Sequence, residues 1–490
     1  MEILKKLKLL MLLCLAPGSG LLAQQLLTID KSLEIAKQNS PDIQNSLLSL
    51  ERSQESLNAQ KAALKSQFVL SLNPVEYSRN RTFDDYSSNW YTNESFGSFG
   101  TFTVSQPVLP TNGTISLVNR FGWERNVNDV NNREDRSFVN NLYLNISQPL
   151  FTYNRLKLQL KELELDVENS NLNYAMQKLN LEKQVTQYFY NVFMAQMSLS
   201  IAEDELVNTT KSFEITKNKV DAGLAAKEEL YQAELNYATA RLNVQNQRVT
   251  LENYKDQFKQ YIGMNITEEI SVMADVQAEP VAVDLNQAID YGLKSRMEIR
   301  QREISIENSQ FALIETKGLN EFKGDVNLSI GIIGEDEKLN NIYQNPTSNP
   351  AVSVTFNVPL FDWGEKKSRI KAQQAVIKQQ ELNFDQQKVQ IIVDIRSVYR
   401  SLQNLQNQIE IARQSEKNAQ LTYEINLERY ANGDLTSMDL NLYQTQLSEK
   451  KMAYAQSLID YKIGLLNLKI QTLYDFEARM GIVPEEIIGK

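Results

Sequence analysis

The sequence predicts a mixed α/β protein of two tandem repeats, in which each repeat carries amphipathic strands and a long antiparallel helical hairpin. Three observations predict this class. One segment recurs at a constant spacing, several short segments alternate apolar and polar residues, and two helical stretches are much longer than those of ordinary globular domains.

Composition excludes several functions before any motif is considered. The 490 residues carry a formal net charge of -10, which argues against a nucleic-acid partner because such surfaces need clustered Lys and Arg. The chain has no histidine, and Cys14 is its single cysteine. With neither a phosphate-binding glycine loop nor a metal-ligand cluster, the sequence predicts no enzyme, no catalytic residue, no metal and no cofactor.

Residues 1–23 have the pattern of a secretory signal peptide. Lys5, Lys6 and Lys8 precede a short apolar run at 9–15, and Ala23 is the candidate cleavage residue. No later stretch has the ~18 apolar residues of a membrane-spanning helix. A membrane contact would therefore be made by strands or by a peripheral surface.

Two segments of the chain resemble each other and indicate an internal repeat: "SQPLFTYNRLKLQLKELELD" (147–166) and "NVPLFDWGEKKSRIKAQQAV" (357–376). Pro149 and Pro359 lie 210 residues apart, and so do Gly223 and Gly433. Upstream segments match at an offset of 256, so the first copy has 46 extra residues between about 68 and 146. The predicted divisions are repeat 1 at 24–263, a linker at 264–283, repeat 2 at 284–475 and a tail at 476–490.

Strands are predicted within 66–148, at 325–334 and at 351–358. "AVSVTFNVPL" places Val352, Val354 and Phe356 on one face, with Ser353 and Thr355 on the other. Such alternation fits a half-buried sheet in a soluble protein, and it also fits a transmembrane β-barrel with lipid outside and water inside. Four strands cannot close a barrel alone, so the second interpretation requires several copies of the chain.

The extra length in repeat 1 contains two more strand-like pieces, 98–106 and 114–123, joined by "PVLPTNG". They are predicted to form an outward-facing hairpin. Whether they enter the barrel stays open at this stage.

Long helical hairpins are predicted at 154–263 and 363–475. Residues 154–220 contain no proline or glycine, which corresponds to about 100 Å of helix at 1.5 Å per residue. Apolar residues recur at spacings of three and four, as in coiled coils. Pro149 and Pro359 are predicted to mark the joins from strand to helix, because proline suits a strand end and pre-sets a helical φ.

Taken together, "QPLF", "VPLFDWG" and "AGLAAKEELYQAELNYATAR" resemble motifs of the TolC-like outer-membrane efflux protein family. The resemblance implies a homotrimer that pools four strands per chain into a 12-stranded barrel in outer-membrane lipid. Its long helices continue as an antiparallel coiled-coil α-helical barrel through the periplasm. It also implies a passive exit duct for a tripartite efflux pump or type I secretion system, with a periplasmic adaptor and an RND- or ABC-type inner-membrane transporter as partners. The alternative is a secreted coiled-coil scaffold without channel activity.

The same resemblance assigns roles to the hairpin tips. Ala222, Gly223 and Leu224 resemble the adaptor-contacting tip, whereas the second tip departs from the family's small-residue pattern with Asn432, Gly433 and Asp434. The alternative is that both glycines merely end helices.

A periplasmic gate is the last expectation. Asp439 matches the first of two acidic residues with which family members narrow the entrance, while Leu442 stands where many members have the second. Glu229 is the equivalent of Asp439 in repeat 1. The hypothesis is a single-ring gate, and the alternative is a pair of solvated helix carboxylates.

Overall fold

The computed structural model describes residues 25–85, 88–128, 133–277 and 279–482. The predicted signal peptide and the last residues of the predicted tail, 483–490, lie outside the described residues. The helices in the described part are α1 (Ile29–Asn39), α2 (Pro41–Ala63), α3 (Arg155–Asp221), α4 (Lys227–Ile262), α5 (Leu285–Ser295), α6 (Met297–Lys317), α7 (Glu365–Ala431) and α8 (Ser437–Thr472).

The strands are β1 (Gln25–Leu27), β2 (Gln67–Asp84), β3 (Asn89–Val108), β4 (Gly113–Asn128), β5 (Arg133–Leu150), β6 (Ile270–Val272), β7 (Lys323–Asp336), β8 (Thr347–Ser348), β9 (Ala351–Asn357), β10 (Tyr474–Asp475) and β11 (Met480–Gly481). These elements give the mixed α/β architecture expected from the sequence.

The long helices recur with equal lengths at an offset of 210 residues. Helices α3 and α7 each have 67 residues, and α4 and α8 each have 36. Neither α3 nor α7 contains proline or glycine, the two residues that most disfavour a helix interior. The bounds of α3 each lie one residue from those of the proline- and glycine-free stretch 154–220 in the sequence.

The described part of the chain divides into two compact units. The helical unit lies within 25–48, 172–297 and 388–482, and the sheet unit lies within 49–171 and 298–387. In the helical unit, Leu27, Phe189, Phe258 and Ile270 are almost fully buried in one apolar cluster. Strand β1 pairs with β6 in parallel, with Gln25 opposite Ile270.

This pairing corrects the prediction that 264–283 is merely a linker. Strand β6 lies within that segment, and its Ile270 and Val272 belong to the core of the helical unit. A strand of three residues is too short to show a period of two, so alternation could not reveal it.

The sheet unit contains one seven-stranded sheet with the order β2-β3-β4-β5-β7-β8, and β9 pairs with β7 beside β8. All of its pairings are antiparallel. The expectation of four strands per chain is therefore wrong for this sheet. Strands β3 and β4, which come from the extra length of repeat 1, lie between β2 and β5.

The prediction that this extra hairpin faces outward is also wrong. The turn between β3 and β4 lies at the sheet end where α3 begins, because the Asn154 side-chain amide donates to the Leu109 carbonyl at 2.6 Å. Asn112, at φ 59°, accepts from the Leu156 amide at 3.2 Å. The turn of the insert thus caps the first turn of the long helix.

Among the helices of the described residues, none combines the length and the apolar composition that a membrane span requires.

Replacing Asn112 with Gly tests this cap. Glycine tolerates the positive φ but removes the acceptor for the Leu156 amide, so we expect that amide to exchange with solvent about fivefold faster, corresponding to about 1 kcal/mol. Hydrogen exchange on the purified protein is the measurement. Asn112→Asp keeps a side-chain oxygen and should exchange like the unmodified protein; equal exchange in all three proteins contradicts the cap.

Candidate functional site

One face of the sheet is mostly apolar, apart from one hydrogen-bonded pair of asparagine side chains. The pairing register places Phe68, Val104, Leu117, Leu144 and Ile330 side by side in one row across β2, β3, β4, β5 and β7. Of these, Phe68 is 68 % exposed and Ile330 51 % exposed. A row of large apolar side chains open to its surroundings is typical of a surface that meets lipid or another protein.

The opposite face carries small and polar side chains. The neighbouring row crosses six strands, β2, β3, β4, β5, β7 and β9. In that order its residues are Gln67, Ser105, Ser116, Asn145, Ser329 and Ala351. Because adjacent residues of a strand point to opposite faces, the two rows give the sheet an apolar side and a water-compatible side.

Phe99 is a large apolar ring on the polar face, and its neighbours explain how it fits there. Phe99 is 7 % exposed and packs against Gly97 and Gly122, where an added Cβ would come within 2.6 Å of the ring. The Arg120 guanidinium lies 3.9 Å from the ring centroid and pairs with Glu76 at 3.4 Å. The ring is thus covered by an ion pair, and this face stays polar.

Aromatic contacts occur toward both ends of the apolar face. Phe96 and Trp123 pack edge-on with ring centroids 6.3 Å apart, and at the other end Phe322 stacks on Phe356 at 5.6 Å. The register places Trp123 level with residue 336 of β7 and Phe356 level with residue 324. Twelve residues of strand separate these levels, or about 40 Å.

The predicted joins differ in detail. Pro149 is the penultimate residue of β5, whereas Pro359 lies in the segment between β9 and α7. In that segment the backbone amides of Gly364 and Lys366 donate to Asp362 at 2.9 and 3.1 Å. These hydrogen bonds lower the pKa of the Asp362 carboxyl group, so this cap is present above its ordinary pKa and weakens as pH falls through the lowered value.

The two hairpin tips share one backbone motif. Gly223 has φ 72°, and the amide of Leu224 donates to the Lys219 carbonyl at 2.8 Å. Gly433 has φ 88°, and the amide of Asp434 donates to the Arg429 carbonyl at 2.9 Å. This is the Schellman end of a helix, which explains why both breaks need glycine.

Beyond the shared backbone, the two tips differ chemically. Leu224 is 80 % exposed, while Asp434 occupies the equivalent position in the second tip. Ala222 and Asn432, the residues before the glycines, are also exposed. The first tip thus presents an apolar side chain to its surroundings and the second presents a carboxylate.

The helices that follow the tips also start differently. Thr436 caps α8: its hydroxyl accepts from the Asp439 amide at 3.2 Å and donates to the Asp439 carboxylate at 2.7 Å. In the first hairpin the cap position is Ala226, which makes no side-chain hydrogen bond. Glu229 and Asp439 are both exposed in the first turns of their helices. Asp439 therefore has a local capping role.

Sequence reasoning missed Tyr430. Its ring is 6 % exposed, and its hydroxyl lies 3.0 Å from Ser212 Oγ and 3.5 Å from Thr216 Oγ1, both on α3. Lys219 lies over the ring at 5.4 Å. A buried hydroxyl that links α7 to α3 close to both tips joins the two hairpins. The sequence does contain a signal for this contact, because Tyr430 stands where the first repeat has Val220.

Tyr430→Phe keeps the ring and removes these hydrogen bonds. We expect a local loss of about 1 kcal/mol and faster amide exchange at the tip-side ends of α3 and α7. Tyr231→Phe is the matched control, because the Tyr231 ring is 66 % exposed. Equal exchange in the two variants would show that the hydroxyl does not hold the hairpins together.

A family model described as "Outer membrane efflux protein" matches residues 112–263 and 324–469. The chain is also 21 % identical to the outer membrane protein TolC of Escherichia coli over 384 residues, which cover 74 % of each chain.

Solved structures agree in fold. The outer membrane channel CmeC of Campylobacter jejuni superposes with a TM-score of 0.70 at 14 % identity, covering 94 % of this chain and 88 % of that chain. VceC of Vibrio cholerae gives 0.65 at 14 % identity, with 93 % and 96 % covered.

Proposed function

The chain belongs to the outer membrane efflux protein family, and from that premise we propose that three copies form a passive exit duct through the bacterial outer membrane. The observation that carries the proposal is the sheet with one apolar and one polar face. Its apolar face meets lipid and its polar face lines a water-filled passage.

The dimensions of the apolar face support this placement. The two aromatic levels are separated by about 40 Å of strand, and a strand tilt of about 40° reduces this to about 30 Å along the membrane normal. A bilayer has a hydrocarbon core of about 30 Å, with aromatic residues enriched at its two interfaces.

Assembly follows from the open sheet. A sheet edge inside a membrane leaves backbone N–H and C=O groups without partners, at a cost of several kcal/mol each. We propose that copies of the chain close the sheet around a threefold axis. The long hairpins then form the coiled-coil tunnel on the periplasmic side.

The partners are a periplasmic adaptor and an inner-membrane transporter of the RND or ABC type. The first tip, with Ala222, Gly223 and Leu224, is the stronger adaptor contact, because an exposed leucine beside a glycine offers an apolar knob for a groove. The second tip, with Asn432, Gly433 and Asp434, offers a polar contact. The duct serves an efflux pump or type I secretion.

Asp439 is the proposed gate residue, with Glu229 as its counterpart in the first hairpin. Three copies of Asp439 around the axis would repel one another and attract cations. Contact with the adaptor or transporter then opens the entrance. The capping bond from Thr436 fixes the orientation of this carboxylate.

Fractionation and bilayer recording test the duct itself. We expect the protein in the outer-membrane fraction, soluble only with detergent, and forming ion channels when added to a planar bilayer. Release into the soluble fraction after osmotic lysis, with no channel activity, would favour the coiled-coil scaffold instead.

Leu224→Ser tests the first tip. Loss of the apolar knob should reduce cross-linked recovery of a co-expressed periplasmic adaptor by at least about tenfold, as expected for a contact of about 1.4 kcal/mol or more. Asp434→Ser is the matched control at the equivalent position of the second tip. Similar losses in both variants would show that the tips do not differ as proposed.

Asp439→Asn tests the gate. The amide keeps an acceptor for the Thr436 hydroxyl, so the variant removes charge while leaving the cap. We expect higher resting conductance and weaker block by cations in a planar bilayer, because the entrance no longer has a ring of carboxylates that holds blocking cations. Asp434→Asn removes a nearby charge as a control. Unchanged conductance and block in Asp439→Asn would remove this residue from the gate.

A further inference from the structure

We propose that each copy contributes six strands and that three copies close an eighteen-stranded barrel, joined where β9 of one copy pairs with β2 of the next. The proposal rests on the trimeric duct proposed above and specifies its membrane wall. The strands are β2, β3, β4, β5, β7 and β9, with β8 on the same side of β7 as β9.

The extra hairpin belongs to the membrane wall rather than to an external loop. Strand β3 pairs with β2 from Ser105 opposite Gln67 to Asn89 opposite Asp84. Strands β3 and β4 also carry the same alternation as their neighbours, with Phe102 and Leu117 both 43 % exposed on the apolar face. A loop outside the membrane has no need of a lipid-facing row.

The hairpin also spans the whole height of the apolar face. Its turn hydrogen-bonds to Asn154 and Leu156, which lie at the sheet end where α3 begins. Near the other end, Trp123 of β4 forms the aromatic contact with Phe96 of β3. The hairpin is therefore as tall as the strands that flank it.

Two sheet edges remain for the contact between copies. Among the described residues β2 pairs only with β3 and β9 only with β7, and every described residue of 67–83 and 351–357 is exposed. The register shift in β2 falls between Asn73 and Glu76, around Pro74. This leaves seven regular residues of β2, 67–73, to pair with the seven residues of β9 from another copy. Pro74 is consistent with an edge position for β2, because proline is typical of edge strands.

The direction and faces of these edges match. Six strands that alternate in direction leave β9 antiparallel to β2 of the next copy, so the alternation continues around the ring. Pairing 67–73 with 357–351 places Val354 beside Leu70 of the next copy on the apolar face, and Ser353 beside Ser71 on the polar face. A second copy of this chain is thus the occupant that fits both edges.

Strand number sets the width of the exit. With strands about 4.8 Å apart and tilted by about 40°, eighteen strands give a backbone diameter of about 36 Å, whereas twelve give about 24 Å. Barrels of 16–18 strands enclose an open aqueous channel. The outer-membrane part of this duct therefore does not restrict cargo to small molecules.

Imaging the full-length protein in lipid nanodiscs by electron cryomicroscopy tests the strand count directly. We expect a threefold ring of eighteen strands about 36 Å across. A twelve-stranded ring of about 24 Å, with β3 and β4 outside it, would overturn this inference and leave the trimeric duct intact. A protein that never forms a membrane-embedded trimer would overturn the duct and the eighteen strands together.

Deleting 89–128 provides a matched control, because it removes β3 and β4 and joins β2 to β5 through the two existing loops. This variant should form the narrower ring of about 24 Å. A ring of unchanged width would contradict the inference. Imaging of the full-length protein decides the count even where the deletion variant does not fold.

Disulfide formation tests the pairing between copies in a background where Cys14 is replaced by Ala. Leu70→Cys with Val354→Cys should give a covalent trimer on a non-reducing gel. Leu70→Cys with Leu142→Cys should stay reduced, since β3 and β4 separate these residues. A disulfide in the second pair would show that β2 contacts β5 directly and would overturn the six-stranded protomer.

Discussion

The need to satisfy every backbone hydrogen bond in a medium without water is the constraint on which this protein's membrane part depends. A helix meets this need within itself, whereas a strand needs a neighbour on both sides. The sheet ends at β2 and β9, each with one partner among the described residues. An isolated copy in lipid would leave both of these edges without a hydrogen-bonding partner, which is the physical reason for the assembly proposed above.

Duplication explains why two distant parts of the chain share a backbone, and divergence explains why they differ in chemistry. Both tips need glycine because the Schellman end of a helix requires a positive φ. The side chains around it are free to change, so Leu224 stands where Asp434 stands in the second copy, and Ala226 where Thr436 stands. Equivalent geometry at the tips thus does not imply equivalent contacts.

Long, regular elements could be predicted from the sequence, and short or nonlocal ones could not. The bounds of α3 and α7 follow from 67 residues of sustained periodicity without proline or glycine. Strand β6 has three residues and no readable pattern, and the place of β3 and β4 depends on pairing rather than on local sequence. At the tips, the glycines predict where the helices break. The hydrogen bond between Tyr430 and Ser212 joins residues 218 positions apart, so no local pattern predicts it.

The insert adds a hairpin, and this is the smallest addition that preserves the rest of the fold. One extra strand would reverse the direction of β5 and move the start of α3 to the opposite end of the sheet. Two extra strands return the chain to the same end. There Asn112 of the new turn supplies an acceptor for the first turn of α3. The insertion can therefore widen the sheet and leave the strand-to-helix join in place. The two long hairpins keep their spacing of 210 residues along the chain.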